Sequence, residues 1–106
     1  MRSVEISLAK WRAQKVFSGR EAGYTCREFF KLDQLDKVGT EITVLIPEEV
    51  YSVNSSFFLG MFGDSIRSLG KDRFRSRYHF VGKDISRTLS SGIRYALDRG
   101  RPLSAV

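Results

Sequence analysis

Two adjacent hydroxyl side chains, Ser55 and Ser56, stand between an aliphatic segment and a long apolar one. Together with Asn54, they are residue types that favour the start of a helix. A hydroxyl there lies beside unpaired backbone N–H groups and the positive end of the helix dipole. The position therefore tolerates a phosphate and can be recognised by a partner. Helix capping alone is an alternative explanation for the same three residues.

The other side chains that could do chemistry form no catalytic or metal-binding pattern. Glu48 and Glu49 are adjacent carboxylates, and acid–base catalysis would need opposed environments for them, so an exposed acidic rim explains them more simply. His79 is the only histidine and Cys26 the only cysteine. Nothing near either residue in the sequence completes a metal site or a nucleophile–base pair. The sequence therefore predicts a protein that is not an enzyme and that needs no cofactor and no metal.

Hydrophobic periodicity predicts that strands and helices alternate along the chain. Alternation over 4–8 indicates a first strand, and residues 10–17 form either a second short strand or an irregular connection. The later predicted elements are a helix near 19–32, a loop over 33–40, a strand at Glu41–Ile46, a helix over 55–69, a basic connector at Lys71–Arg77, a strand over 78–81 and a last helix from about 85. This order predicts an α/β fold, with a mixed β-sheet of about four strands and three main helices packed against it.

Polar residues and glycines mark the expected ends of these helices. Ser18 and Glu21 have the spacing of a capping box, and Asp84 is suited to cap the last helix. Gly70 is expected to end the helix that follows the serines, and residues 100–102 to close the last one. The apolar stripes expected to be buried are Ala22, Cys26, Phe29 and Phe30 on the first helix, Phe58, Leu59, Phe62, Ile66 and Leu69 on the second, and Ile85, Leu89, Ile93, Ala96 and Leu97 on the last.

Length and composition indicate a single folded domain over residues 1–106. The hydrophobic fraction is 42% and includes eight phenylalanines, which is too apolar for a disordered chain. No apolar run approaches the roughly 20 residues that span a bilayer, and no hydrophobic segment of a signal peptide follows the first Met. A single cysteine fits a reducing compartment. We therefore expect a cytoplasmic protein with no membrane partner, and its oligomeric state stays open.

The net charge of +6 is concentrated in the C-terminal part of the sequence. Residues 1–66 carry eight Lys and Arg against nine Asp and Glu, whereas residues 67–106 carry ten against three. A basic surface attracts nucleic acid or acidic proteins, although a solvated face has the same composition. Phe74 and Tyr78 lie among the cations and would suit base stacking, but they are more simply core residues. The candidate basic face is formed by Arg67, Lys71, Arg73, Arg75, Arg77, Arg87 and Arg94.

Four short segments occur in an order that matches a known family: FSGRE (17–21), VNSSFFLG (53–60), FG (62–63) and RYHFV (77–81). Their order and the serine segment resemble the STAS fold of sulfate transporter tails and anti-anti-sigma factors. More specifically, the chain looks like the STAS-like domains of bacteria and their phages, over about residues 17–97. Asn54 stands where that family commonly has aspartate, and Phe57 stands where it commonly has glycine.

The resemblance implies a regulatory module that binds a partner protein, either an ATPase-type kinase or an anti-sigma-like regulator. In that family the hydroxyl that opens the helix is phosphorylated, and the phosphate blocks binding. Carried over to this chain, the role falls on Ser56, with Ser55 as its substitute. The implied partner-binding residues are Glu48, Glu49, Ser52, Asn54, Ser55, Ser56 and Phe57.

Two other functions stay open. One is a nucleic-acid-associated protein that uses the basic face, and the other is a small phage or mobile-element protein that inhibits a host complex.

Overall fold

The computed structural model describes residues 3–99, and this range contains five strands and six helices. The strands are β1 (Ser3–Ser7), β2 (Val16–Phe17), β3 (Glu41–Ile46), β4 (Ser52–Val53) and β5 (Tyr78–Gly82). The helices are α1 (Leu8–Trp11), α2 (Arg20–Phe30), α3 (Leu32–Val38), α4 (Ser55–Leu69), α5 (Lys71–Arg77) and α6 (Ser86–Arg99). The predicted α/β class is confirmed. The helix end expected at residues 100–102 lies outside the described residues.

The strands form two parallel sheets instead of the predicted mixed sheet of about four strands. β1, β3 and β5 pair in that order, and β2 pairs with β4. β3 is the central strand, and its alternate residues Ile42, Val44 and Ile46 are buried. The pairing of β2 with β4 was not foreseen because each strand has only two residues, which is too short for a periodicity to be recognised.

α4 is the central helix of the domain, and its predicted apolar stripe is confirmed. It packs against both α2 and α6. A Cβ atom added at Gly23 would lie 2.3 Å from the carbonyl oxygen of Phe57, and one at Gly60 would lie 2.2 Å from that of Arg20. The backbones of α2 and α4 therefore touch directly, with no side chain between them.

At the start of the two helices, Gly19 bonds to Ser56, whereas near the end of α2 Arg27 bonds to Met61 and Ser65 further along α4. The two helices therefore run in the same general direction.

The region predicted as one helix and a loop is instead two helices, α2 and α3. Lys31 has a left-handed backbone with φ of 57°, which separates them. The segment after it is polar, but the fully buried Leu32 anchors it as a helix. Phe29 was expected in the core and is 55% exposed, because Gly23 and Cys26 form the buried side of α2.

The helix ends were predicted with mixed success. The capping box at Ser18 and Glu21 is wrong, because the N-cap of α2 is Gly19, which has no side chain to form one. Gly70 is confirmed as the C-cap of α4. Asp84 is confirmed as a cap at the start of α6, since its carboxylate accepts a hydrogen bond from a backbone N–H group there.

Candidate functional site

The short β2–β4 pair holds the starts of two helices next to each other. β2 leads into α2, and β4 leads into α4. The backbone N–H of Asn54 donates to the carbonyl of Phe17 at 2.8 Å and extends the pairing beyond the two strands. Because the strands are parallel, α2 and α4 begin at the same edge. The first N–H groups of both helices, which have no partner inside their own helix, therefore lie close together.

Ser56 links these two helix starts. Its hydroxyl oxygen accepts a hydrogen bond from the backbone N–H of Gly19 at 3.1 Å. Gly19 has φ of 94°, a conformation that favours glycine. Asn54 is the N-cap of α4, but its side chain makes no capping hydrogen bond within the described part of the chain. Local capping therefore does not explain the Asn-Ser-Ser sequence, because Ser56 bonds across to α2.

The predicted partner-binding residues differ in their exposure. The exposed ones are Glu48, Glu49, Asn54 and Ser55, and the half-buried ones are Ser52 and Ser56. Phe57 is fully buried, and its ring packs against those of Trp11 and Phe17 at centroid distances of 5.8 and 5.3 Å. Phe57 therefore supports the site from the core and has no exposed surface with which to contact a partner.

Tyr51 is an exposed aromatic residue that the sequence patterns did not single out. Its side chain is 78% exposed, while its backbone N–H donates to the carbonyl of Lys15 at 2.6 Å. Glu48 and Glu49 precede it in a turn directly after β3. The exposed ring is therefore held by a fixed backbone at the base of the serine segment. Tyr51 belongs to no long strand or helix, so no periodicity could have identified it.

An open cleft of about 280 Å³ lies between β4 and the start of α6. The hydroxyl of Thr88 donates to the carbonyl of Val53 at 3.2 Å, which fixes α6 to β4. The carboxylate of Asp84 accepts from the N–H of Ser86 at 2.9 Å, and this bond holds the pKa of Asp84 below its usual value. Arg87 lines the same cleft. The start of α6 thus lies at the same edge as the serine segment.

The predicted basic residues do not form one continuous face. Lys71, Arg73 and Arg75 are exposed on α5, which precedes the amino end of β5. Arg87 and Arg94 are exposed on α6, which follows the carboxyl end of the same strand. The two groups are therefore separated by the length of β5.

Two further cations of the predicted face have partners within the domain. Arg67 forms an ion pair of 2.6 Å with an aspartate three residues earlier on α4. Arg77 donates to a backbone carbonyl of α3 at 3.1 Å. Phe74 and Tyr78 are buried and stacked on each other with a centroid distance of 4.7 Å. They are core residues, so they are not exposed for stacking on bases.

A buried polar network that the sequence did not predict connects α2, α3, α4 and β5. Arg27 is only 5% exposed, and its guanidinium donates to the carboxylates of Asp33 and Asp36 and to the hydroxyl of Ser65. The hydroxyl of Tyr78 donates to Asp36 at 2.6 Å. Burial, with this hydrogen bond, raises the pKa of Tyr78 above its usual value. The network fixes the end of the domain that lies away from the serine segment.

Cys26 and His79 lie in different environments. Cys26 is fully buried in α2, and burial raises the pKa of its thiol to about 12. His79 is exposed on β5, where its Nε2 lies 2.9 Å from a carboxylate oxygen of Glu41. Among residues 3–99, no group of three or more His, Cys, Asp or Glu side chains is arranged to hold a metal ion. No helix in the same range is long and apolar enough to cross a membrane.

Comparisons of this chain with protein-family models, curated proteins and solved structures find no match. We therefore infer its function from the serine site and from the resemblance of its sequence.

Proposed function

We propose that this chain is a non-enzymatic, STAS-like regulatory module that binds a partner protein through its serine loop, defined as residues 51–56. This loop carries three exposed side chains, Tyr51, Asn54 and Ser55, and the half-buried Ser56. An exposed tyrosine is a residue type that is enriched in protein interfaces. By resemblance, the partner is an ATPase-type kinase or an anti-sigma-like regulator.

The hydrogen bond between Ser56 and Gly19 is the observation that carries this proposal. The accepting atom is the hydroxyl oxygen itself, so esterification of that atom changes the contact between the starts of α2 and α4. A phosphate would add about −1.5 to −2 charges and three acceptor oxygens. The N–H groups and dipoles of the two adjacent helix starts would stabilise that charge. We therefore expect the fold to tolerate a phosphate on Ser56, while the charge of the exposed serine loop changes.

The switch follows from this change of surface. Without a phosphate, the serine loop presents neutral hydroxyls and the ring of Tyr51 to the partner. With a phosphate on Ser56, the loop becomes anionic on the edge where Glu48 and Glu49 already carry negative charge. The partner contact is then repelled or remodelled. Ser55 is more exposed than Ser56, so it is the acceptor that would substitute if Ser56 were replaced.

The test compares tagged wild-type chain with variants of Ser56 as baits in lysate of the source cell. Ser56→Asp should reduce recovery of a protein partner, while Ser56→Ala should retain it. Ser90→Asp adds the same charge at an exposed position on α6 and is the matched control. Circular dichroism establishes that each bait is folded. Equal recovery of the partner protein by Ser56→Asp and Ser56→Ala would contradict a phosphorylation switch at Ser56.

Nucleic-acid binding is the second candidate function, favoured by the three exposed cations of α5, Lys71, Arg73 and Arg75. The same baits are washed at low and high salt, and the eluates are stained for nucleic acid. This experiment distinguishes nucleic-acid binding from binding of a protein partner. Binding through phosphates falls steeply as salt increases. Nucleic acid that is lost at high salt, with no protein partner, would favour this second candidate. Recovery of a large host nucleoprotein complex would instead favour an inhibitor of a host complex.

A further inference from the structure

The open cleft between β4 and the start of α6 is large enough to hold a small molecule. Its volume is about 280 Å³, and its lining is formed by residues 51–53 and 83–88. Sites for drug-sized ligands have volumes of about 300–1,000 Å³, so this cleft suits a somewhat smaller ligand. It lies at the carboxyl ends of β4 and β5. In α/β folds with parallel strands, ligands bind in crevices at this edge.

Hydrogen bonds hold both walls of the cleft in place. The backbone N–H of Lys83 donates to the carbonyl of Ile46, the last residue of β3, at 2.8 Å. Gly82 has φ of 94°, and a Cβ atom added there would lie 2.2 Å from the same carbonyl oxygen. The bond between Thr88 and Val53 joins this segment to the opposite wall. The cleft is therefore formed before a ligand binds, which lowers the entropic cost of binding.

Two cations of the lining have no counterion inside the domain. Lys83 is half-buried and Arg87 is exposed, and in the described part of the chain neither side chain makes an ion pair or a hydrogen bond. The carboxylate of the lining, Asp84, instead accepts the N–H of Ser86 at 2.9 Å. The lining therefore has a net positive charge, and both of its cations can pair with an anion.

The serine loop forms the other wall. Ser52 is half-buried and contributes a hydroxyl group, and Tyr51 contributes an exposed ring with a hydroxyl group at its tip. Hydroxyl groups both donate and accept hydrogen bonds. This wall therefore suits the uncharged polar part of a ligand whose anionic group lies beside the two cations.

We propose that this cleft binds a small phosphomonoester of the size of a sugar phosphate. A phosphomonoester carries about −1.5 to −2 charges near neutral pH, which two cations can balance. Arg87 can donate two parallel hydrogen bonds to the phosphate, and Lys83 acts as a point charge. The hydroxyl groups of Ser52 and Tyr51 bind the sugar. Nucleic acid needs a longer series of cations along its phosphates, so one pair of cations favours a single phosphate.

The test is a titration of the ¹⁵N-labelled chain with ribose 5-phosphate at constant ionic strength. We expect saturable chemical-shift changes at residues 51–53 and 83–88. The double variant Lys83→Gln/Arg87→Gln should bind at least about tenfold more weakly, and circular dichroism establishes that it is folded. Arg94→Gln removes an exposed cation from α6 outside the cleft and should bind like wild type.

Asp84→Asn tests the position of the phosphate in a second way. Asparagine begins a helix as well as aspartate does, so the cap of α6 is retained. The substitution removes a negative charge that opposes the phosphate, so Asp84→Asn should bind ribose 5-phosphate more tightly than wild type. Weaker binding by this variant would contradict a phosphate beside Lys83 and Arg87.

Two related probes separate a phosphate site from general attraction of anions. Ribose lacks the phosphate and should not bind, and malonate carries two carboxylates and should bind more weakly than ribose 5-phosphate. Equally tight binding of malonate, an equal loss of affinity in Arg94→Gln, or the absence of saturation would overturn the proposed site. None of these variants changes Ser56, so the cleft and the serine switch can fail independently of each other.

Discussion

The hydroxyl oxygen of Ser56 accepts the backbone N–H of Gly19 at 3.1 Å, which joins the start of α4 to the start of α2 across 37 residues of sequence. The N–H group of an N-cap residue has no partner inside its own helix. The hydroxyl therefore satisfies a backbone donor that helix formation leaves unpaired. The same atom is the proposed site of phosphorylation, so the proposed regulation would act directly on this hydrogen bond.

Replacement of Ser56 by alanine should lower the free energy of unfolding by about 1 kcal/mol, because the N–H of Gly19 loses its acceptor. Urea denaturation followed by circular dichroism measures this change. Ser90→Ala is the control, since Ser90 is exposed on α6. Identical midpoints for the two variants would show that the hydrogen bond does not contribute to stability.

Two glycines of α4 should respond in opposite ways to alanine. Gly60→Ala places a Cβ atom 2.2 Å from the carbonyl oxygen of Arg20, so it should destabilise the fold by about 1–3 kcal/mol or more. Gly63→Ala meets only the flexible end of Arg67, and alanine favours a helix, so its unfolding free energy should stay within about 1 kcal/mol of wild type. Thermal unfolding of both variants checks this difference. Equal effects would contradict the direct backbone contact of α2 and α4.

Removal of a carboxylate from the buried network should be far more costly than removal of one from the surface. Asp36→Ala removes the acceptor of the hydroxyl groups of Ser65 and Tyr78 and one of the two carboxylates that pair with Arg27. We expect a loss of about 1–3 kcal/mol for each of the two hydroxyl donors that loses its acceptor. Asp64→Ala breaks an exposed pair with Arg67 and should change stability by about 0–1 kcal/mol. Guanidinium chloride denaturation compares the two variants. A small effect of Asp36→Ala would mean that the network is not required for the fold.

Stability should decrease at alkaline pH. Burial raises the pKa of Cys26 from 9.0 to about 12, and the pKa of Tyr78 is also raised. The unfolded chain therefore releases these protons before the folded chain does. The stabilisation that they provide is complete below about pH 9 and is lost as the pH rises towards about 12. Urea denaturation at a series of pH values measures this loss.

Cys26→Ala removes one of these groups, so its stability should fall less steeply above about pH 9. If the stability of Cys26→Ala falls with pH as steeply as that of wild type, the thiol is not buried in its protonated form. Wild-type stability that is constant up to about pH 11 would contradict it equally.

Much of the fold follows from patterns within single elements of the sequence. The aliphatic run of β3, the stripe of α4 and the spacing of Ile93 and Ala96 on α6 each indicate one element, and the structure confirms these elements. Such patterns are visible because burial of one face determines which residue types the element can carry.

The remaining features depend on contacts between distant segments. α3 was missed because Leu32 is its one fully buried residue, while most of its residues are polar. The role of Arg27 was missed because its partners lie on other elements, and arginines in a helix are mostly exposed. The serine pair was identified from its residue types. The hydrogen bond between Ser56 and Gly19 could not be predicted from the sequence, because it forms only when α2 packs beside α4.

The most direct test of the serine switch is isothermal titration calorimetry of the purified partner against four forms of the chain: wild type, Ser56→Ala, Ser56→Asp and Ser90→Asp. We expect Ser56→Asp to bind at least about tenfold more weakly than wild type. Ser56→Ala and Ser90→Asp should bind like wild type, because neither adds charge at the serine loop. Equal affinities for Ser56→Asp and Ser90→Asp, with all four forms folded, would contradict the central claim that charge at Ser56 controls partner binding.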